Sequence, residues 1–282
     1  MPDAPATRPT ILVTNDDGVH APGLLALKLA LEPLGRVIVL APERNWSAAG
    51  HNKTMHDPLR LSTVRLADGS DGHACTGGPS DCVALAALGA LDVKIDLVVA
   101  GVNNGHNMGN DITYSGTVAC AIEATINGIP GIAVSTSLPP LARTDLHVAR
   151  TLAAEVACGV AAIVLERGLP TGTLLNVNVP AVAAHELRGG EITRIGRRTY
   201  DEQLIKRDDP YGTPYYWLGG ALPMDIPDDG TDVGAVANDL VSITPISLDL
   251  TDYGYLDELR RWQFSLPAAV SSSRSMARDH GL

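Results

Sequence analysis

Along the first two thirds of the chain, short apolar β-branched runs alternate with longer stretches of helical periodicity, the rhythm of parallel α/β units. "TILVT" (10–14) reads as a buried strand, and "APGLLALKLALEPLG" (21–35) as a helix with Pro22 near its first turn and Gly35 at its end. "RVIVLAP" (36–42) is the next strand. After a polar loop, the pattern predicts a helix over 80–91, a strand over 96–103, a helix over 115–128 opened by Ser115, and a strand over 131–136. A long helix fills 144–167, and "GTLLNVNVP" (172–180) closes this portion. Beyond about Ala183 the pattern changes to extended segments and turns without a clear helical crossover. Such long excursions pair with another chain, so a protruding arm and an oligomer are expected. The chain divides accordingly into an N-terminal extension (1–9), an α/β core (10–183), an extended arm with a returning strand (184–247), a C-terminal helix (248–266) and a polar, disordered tail (267–282).

Composition narrows the class. With 282 residues, 45% hydrophobic but only 4% aromatic, the chain builds an aliphatic core packed between helices and a mostly parallel sheet. A formal net charge of −11 argues against a nucleic-acid polymer as main partner, because such binding needs Lys and Arg on the phosphates. A phosphate-bearing ligand here would need positive charge from elsewhere, and a divalent cation held by carboxylates supplies it. Cys75, Cys82, Cys120 and Cys158 show neither CxxC nor zinc-like spacing, and the N-terminus lacks an apolar signal core, so a cytoplasmic protein with reduced thiols is expected. No apolar run in the sequence approaches the roughly 18 residues of a membrane span, so no membrane partner is expected.

Polar clusters follow three of the predicted strands: Asn15-Asp16-Asp17 after the first, "ERNWSAAGHNKT" (43–54) after the second and "NNGHNMGND" (103–111) after the third. Each alone is an ordinary turn or loop; together they fall where ligands bind a parallel sheet, outside the carboxyl ends of its strands. Adjacent aspartates repel, and a magnesium or manganese ion, which takes oxygen ligands, relieves the repulsion, while Gly18 lets the chain turn. Ser115-Gly116-Thr117, opening an apolar helix, offers free N–H groups and hydroxyls to a phosphate. His20, His51 and His106 also fall in strand-end loops, where a histidine is more often a surface residue or local hydrogen-bond partner than a ligand.

In order and spacing, "ILVTNDDGVHAPGL", "VLAPERNWSAAGHNKT", "GGPSDCV", "DLVVAGVNNGHNMGNDITYSGTVACAIEA" and "LVSITPISLDLT" resemble the SurE survival-protein family of metal-dependent 5′-nucleotidases. The resemblance implies a Rossmann-like three-layer core whose extended arm swaps between subunits of a homodimer or homotetramer. It also implies one divalent metal ion per subunit, ligated by Asp16, Asp17, Ser47 and Asn103. The substrate would be a nucleoside monophosphate or another small phosphomonoester, hydrolysed by metal-activated water, with Asp16 and Asp17 catalytic, either of them able to assist proton removal, and Asn107, Ser115, Gly116 and Thr117 on the phosphoryl oxygens. Two stretches depart from the family pattern. The loop that usually continues Ser-Gly with small serine-rich residues reads Ser47-Ala48-Ala49-Gly50-His51-Asn52, and a histidine four residues beyond the Asp of "LDLT" is Tyr253. Both bear on substrate range and rate rather than on the metal ligands.

Other classes fit less well. A nucleotide-binding regulator that keeps the fold but hydrolyses little is the alternative, which phosphate release separates from the enzyme. A dinucleotide-dependent oxidoreductase would place two aspartates against a pyrophosphate. A covalent aspartyl phosphatase spaces its acids Asp-x-Asp, whereas these are adjacent.

Overall fold

The computed structural model describes residues 8–137, 141–220, 224–262 and 264. β1 (Thr10–Thr14), α1 (Pro22–Leu31) and β2 (Arg36–Pro42) open the chain, followed by an antiparallel pair, β3 (Leu61–Arg65) and β4 (Asp71–Cys75), then α2 (Pro79–Ala87) and β5 (Leu97–Asn104). A 3₁₀ turn (Gly109–Thr113) precedes α3 (Gly116–Ile126), β6 (Gly131–Thr136), α4 (Leu146–Arg167) and β7 (Thr173–Val179). The rest comprises β8 (Gly190–Ile192), β9 (Arg197–Thr199), β10 (Glu202–Asp208), β11 (Pro214–Gly220), β12 (Met224–Ile226), α5 (Asp232–Ala237), β13 (Val241–Ser247) and, as a separate compact unit after Leu248, α6 (Tyr253–Arg261).

Nine strands form one mixed, mostly parallel sheet in the order β3-β4-β2-β1-β5-β6-β7-β13-β8. The pleat sends successive side chains to opposite faces. Ile11 and Val13 of β1 join Leu24, Leu27 and Leu31 of α1 and the α4 residues Ala153 and Ala157 in one core. Leu12, between them, points to the other face and packs with Cys82 and Val83 of α2 and Cys120 of α3. The result is three layers, α1 and α4 on one side and α2 and α3 on the other. Strand order reverses at β1, which is flanked by β2 and β5, so the crevice between β1 and β5 is the switch point where such sheets take ligands.

Three features differ from the sequence reading. The polar loop before α2 contains the β3–β4 hairpin, whose edge strand β3 is half exposed and carries too few apolar residues to announce itself. After residue 183, β8 and β13 return to the main sheet, α5 intervenes as a short helix, and the protruding piece is the antiparallel β10–β11 hairpin. Finally, α4 is long and apolar enough, by length and composition, to cross a membrane, although much of it is buried within the fold. This corrects the expectation that nothing approaches a span. The alanines and valines of α4 outweigh the interruption by Arg150 and Glu155, and its Ala153, Ala157 and Ala161 are fully buried in the core shared with α1. The tail at 267–282, and most of the extension at 1–9, lie outside the described residues.

Candidate active site

The turn after β1 is closed by its own asparagine. Asn15, fully buried, donates from Nδ2 to the Gly18 carbonyl and accepts the Gly18 N–H on Oδ1, both at 3.1 Å. Gly18 has φ +106°, a conformation that glycine tolerates and side-chain-bearing residues rarely adopt. The turn sets Asp16 and Asp17 at the carboxyl edge of the sheet.

Asp16 is buried against the start of α3. Thr117 Oγ1 donates to its Oδ1 at 2.6 Å, and Gly116 packs so closely that a Cβ there would sit 2.7 Å from the Asp16 Cβ. Burial pushes the Asp16 carboxyl up; Thr117 and the backbone N–H groups at the helix start pull it back only in part. Ser115 is the N-cap of α3, its Oγ accepting from Val118 N at 3.0 Å. The Ser115-Gly116-Thr117 turn therefore serves Asp16 and its own helix.

Asp17, half-buried, is held by two amides. Asn45 Nδ2 donates to its Oδ1 at 3.4 Å and Asn104 Nδ2 to its Oδ2 at 3.2 Å. Burial, and then the neighbouring Asp16 charge, push its carboxyl up to about 6. Asn45 also links Asp17 to Ser47: the Ser47 N–H and Oγ both donate to Asn45 Oδ1 at 2.7 Å. The loop bearing Ser47 is tied down by the Trp46 N–H on the Asp16 carbonyl (2.8 Å) and the Gly50 N–H on the Tyr114 carbonyl (3.0 Å). Further along it, His51 Nε2 and Lys53 Nζ meet the two oxygens of Glu123, a residue of α3 that is 2% exposed, at 2.9 and 2.7 Å.

On the far side of β1, a bulge re-aims the end of β5. Ala100 pairs with Ala133 but Asn103 with Ser135, so two residues, Gly101 and Val102, face one on β6. Beyond it Asn103 donates from Nδ2 to the Gly105 carbonyl at 2.8 Å, a bond that engages its amide nitrogen and not its amide oxygen. Asn107 is knitted into β6 and β7 instead: its N–H bonds Asn178, its Nδ2 bonds Ser135 Oγ, and its carbonyl accepts from Asn176 and Asn178. None of these four bonds reaches the aspartates. His106 bonds the Val179 carbonyl at 3.0 Å and burial lowers its pKa to about 4, so it is neutral at pH 7; His20 is exposed. The histidines are thus local partners or surface residues. Asn45, Asn104 and, behind Asn104, Arg150 are the site residues that the sequence reading did not single out.

Two side-by-side carboxylates, one buried and one half-buried, have no Lys or Arg ion pair among the described residues, a deficit of positive charge at the switch point. Ser47 is linked to Asp17 through Asn45, and Asn103 lies near the end of β5, the strand beside β1. All four side chains offer oxygen, which suits a hard divalent cation. No three His, Cys, Asp or Glu side chains converge among the described residues, so a cation here would rest on the two carboxylates with neutral oxygens.

Comparison with known proteins agrees with this geometry. A family described as Survival protein SurE matches residues 11–202. A protein of Chloroflexus aggregans named 5′-nucleotidase SurE is 49% identical over 254 residues, covering 90% of this chain and 99% of its own. One of the same name from Herpetosiphon aurantiacus is 53% identical over 249 residues, covering 88% and 96%. The crystal structure of the SurE protein from Aquifex aeolicus superposes with a TM-score of 0.74 at 40% identity, covering 89% of this chain and 98% of that one. The three-layer fold, the aspartate pair at the switch point and the match over most of the chain place this protein in the SurE family.

Proposed function

We propose that the chain is a 5′-nucleotidase, a phosphomonoesterase that hydrolyses nucleoside 5′-monophosphates with the help of one divalent cation, magnesium or manganese. The observation that carries the reading is the pair Asp16 and Asp17 at the β1–β5 crevice, held by neutral donors and ion-paired with no basic side chain among the described residues. The names of the relatives, 5′-nucleotidase SurE, supply the substrate class.

In this reading Asp16, Asp17, Ser47 and Asn103 hold the cation. A bound divalent cation supplies Lewis acidity, neutralising phosphoryl charge and acidifying water. The protein supplies orientation. Thr117 fixes one Asp16 oxygen and the Asn45 and Asn104 amides fix both oxygens of Asp17, so neither carboxylate has to reorganise during the reaction. Asp17, less buried than Asp16, is the better placed of the two to take a proton from water in the crevice. Ser115 and Gly116, at the start of α3 beside Asp16, serve the phosphoryl side, where N–H and hydroxyl donors stabilise developing charge, while Asn107, engaged with Ser135, Asn176 and Asn178, holds β6 and β7 together behind them. Four free cysteines fit a reducing, cytoplasmic compartment. The β10–β11 hairpin, with Tyr216, Trp217 and Leu218 exposed, joins copies of the chain into a homodimer or homotetramer.

Phosphate release from a panel of nucleoside monophosphates tests the proposal. Activity disappears with chelator and returns with magnesium or manganese, and Asp17→Asn lowers kcat by about 10²-fold or more at saturating metal. Full turnover by metal-stripped protein, or by the Asp17 variant, overturns it.

A further inference from the structure

Arg150 sits on α4, a helix that contributes none of the proposed ligands, yet its side chain reaches the sheet edge. Its Nε donates to Asn104 Oδ1 at 2.9 Å, and Asn104 Nδ2 in turn donates to Asp17 Oδ2 at 3.2 Å. A guanidinium is donor-only and a carboxylate acceptor-only, so the amide between them has one allowed orientation. Flipping it would set an NH₂ against a guanidinium and a carbonyl oxygen against a carboxylate. Arg150 itself makes no ion pair with Asp17 within 4.0 Å among the described residues.

That spacing matters for a cation site. An arginine placed directly on Asp17 would occupy an oxygen and put its charge where the metal must go, whereas an amide spacer passes on orientation while keeping the guanidinium back. We propose that Arg150 is a positioning residue for the cation site, acting through Asn104 to hold the Asp17 carboxylate in its binding orientation. The inference rests on the reading of Asp17 as a metal ligand. α4 thereby takes part in the site without touching substrate. Arg150 lines a cavity between α1 and α4 together with Pro22, Leu25, His147 and Glu155, and its guanidinium reaches Asn104 from a packed helix rather than from a loop.

The test is titration of metal-stripped protein with Mn²⁺, following free Mn²⁺ by electron paramagnetic resonance, on the wild type, Asp17→Asn, Arg150→Leu, Arg150→Lys, Asn104→Leu and the double variant Arg150→Leu/Asn104→Leu. Thermal melts of each accompany it. Arg150→Leu is expected to weaken Mn²⁺ binding by about 10–100-fold, the usual effect of losing a partner of a metal ligand. Arg150→Lys, which keeps a donor, recovers most of that loss. The double variant binds no worse than Asn104→Leu, because Arg150 acts only through the amide. If Arg150→Leu does not fold, Arg150→Met, of similar reach and without a donor, replaces it. Wild-type affinity in the arginine variant, or losses that add in the double variant, overturns the relay while Asp17→Asn still loses the ion. Equal binding by wild type and Asp17→Asn, or no binding by the wild type, removes Asp17 as a ligand and the relay with it.

Discussion

At Gly116 there is no room for a methyl group. A Cβ would lie 2.7 Å from the Asp16 Cβ and 2.8 Å from its Oδ2, and the Asp16 Cβ, next to the backbone, cannot swing away cheaply. Gly116→Ala should therefore push Asp16 off its Thr117 hydrogen bond, costing about 1–3 kcal/mol of stability, the usual range for overpacking. A parallel loss of Mn²⁺ affinity is expected, and thermal unfolding with a metal titration checks both. The aspartates were legible in the sequence because two carboxylates ending a β-branched run are conspicuous. Asn45 and Asn104 were not, since amides are ordinary in loops, and only their meeting on Asp17 gives them a role. Thr117 was legible as a site residue on the expectation of a phosphate, while the structure gives its hydroxyl to Asp16.

One helix organises two of the three clusters. The start of α3 holds Asp16, and two turns later Glu123 anchors the loop that carries Ser47, through His51 and Lys53. Burial raises the Glu123 carboxyl, but hydrogen bonds from Lys53, His51 and Asn127 outweigh it, so the group titrates below its ordinary value of 4.5. The sign follows: the stabilisation is complete above that ordinary value and is lost as pH falls through the lower native value. Glu123→Gln, which keeps the shape and removes the charge, should speed hydrogen exchange across residues 45–54 at pH 7 while the strands keep their protection. Acid unfolding curves of the variant and the wild type should converge at pH values below the native titration. Periodicity identified α1, α3 and α4 because each lays an apolar stripe on the sheet. It missed the β3–β4 hairpin, which pairs at the sheet's edge, where "LSTVR" has one face in water and little hydrophobic alternation to display.

For the molecule as a whole, the α/β class was readable from the alternation of strands and helices, whereas the course of the chain after residue 183 was not. Its short strands β8 and β13 find partners far away in sequence, and no local pattern specifies such pairing. The β10–β11 hairpin displays Tyr211, Tyr216, Trp217 and Leu218, between 54% and 93% exposed. Replacing residues 204–218 by a short Gly-Ser turn should lower the assembly size seen by light scattering and leave Mn²⁺ binding within about twofold, because every proposed ligand lies elsewhere. The apolar length of α4 reaches into biosynthesis. Leu146–Arg167 leaves the ribosome before β7 and well before β13, which completes that side of the sheet only at Ser247. At elongation rates of about 5–20 residues per second, the roughly 80 residues in between take about 4–16 s. Through that interval β7, one of the strands beneath α4, is an unpaired edge, so co-expression of a holdase chaperone should raise the soluble yield, which the ratio of soluble to total protein with and without the chaperone checks.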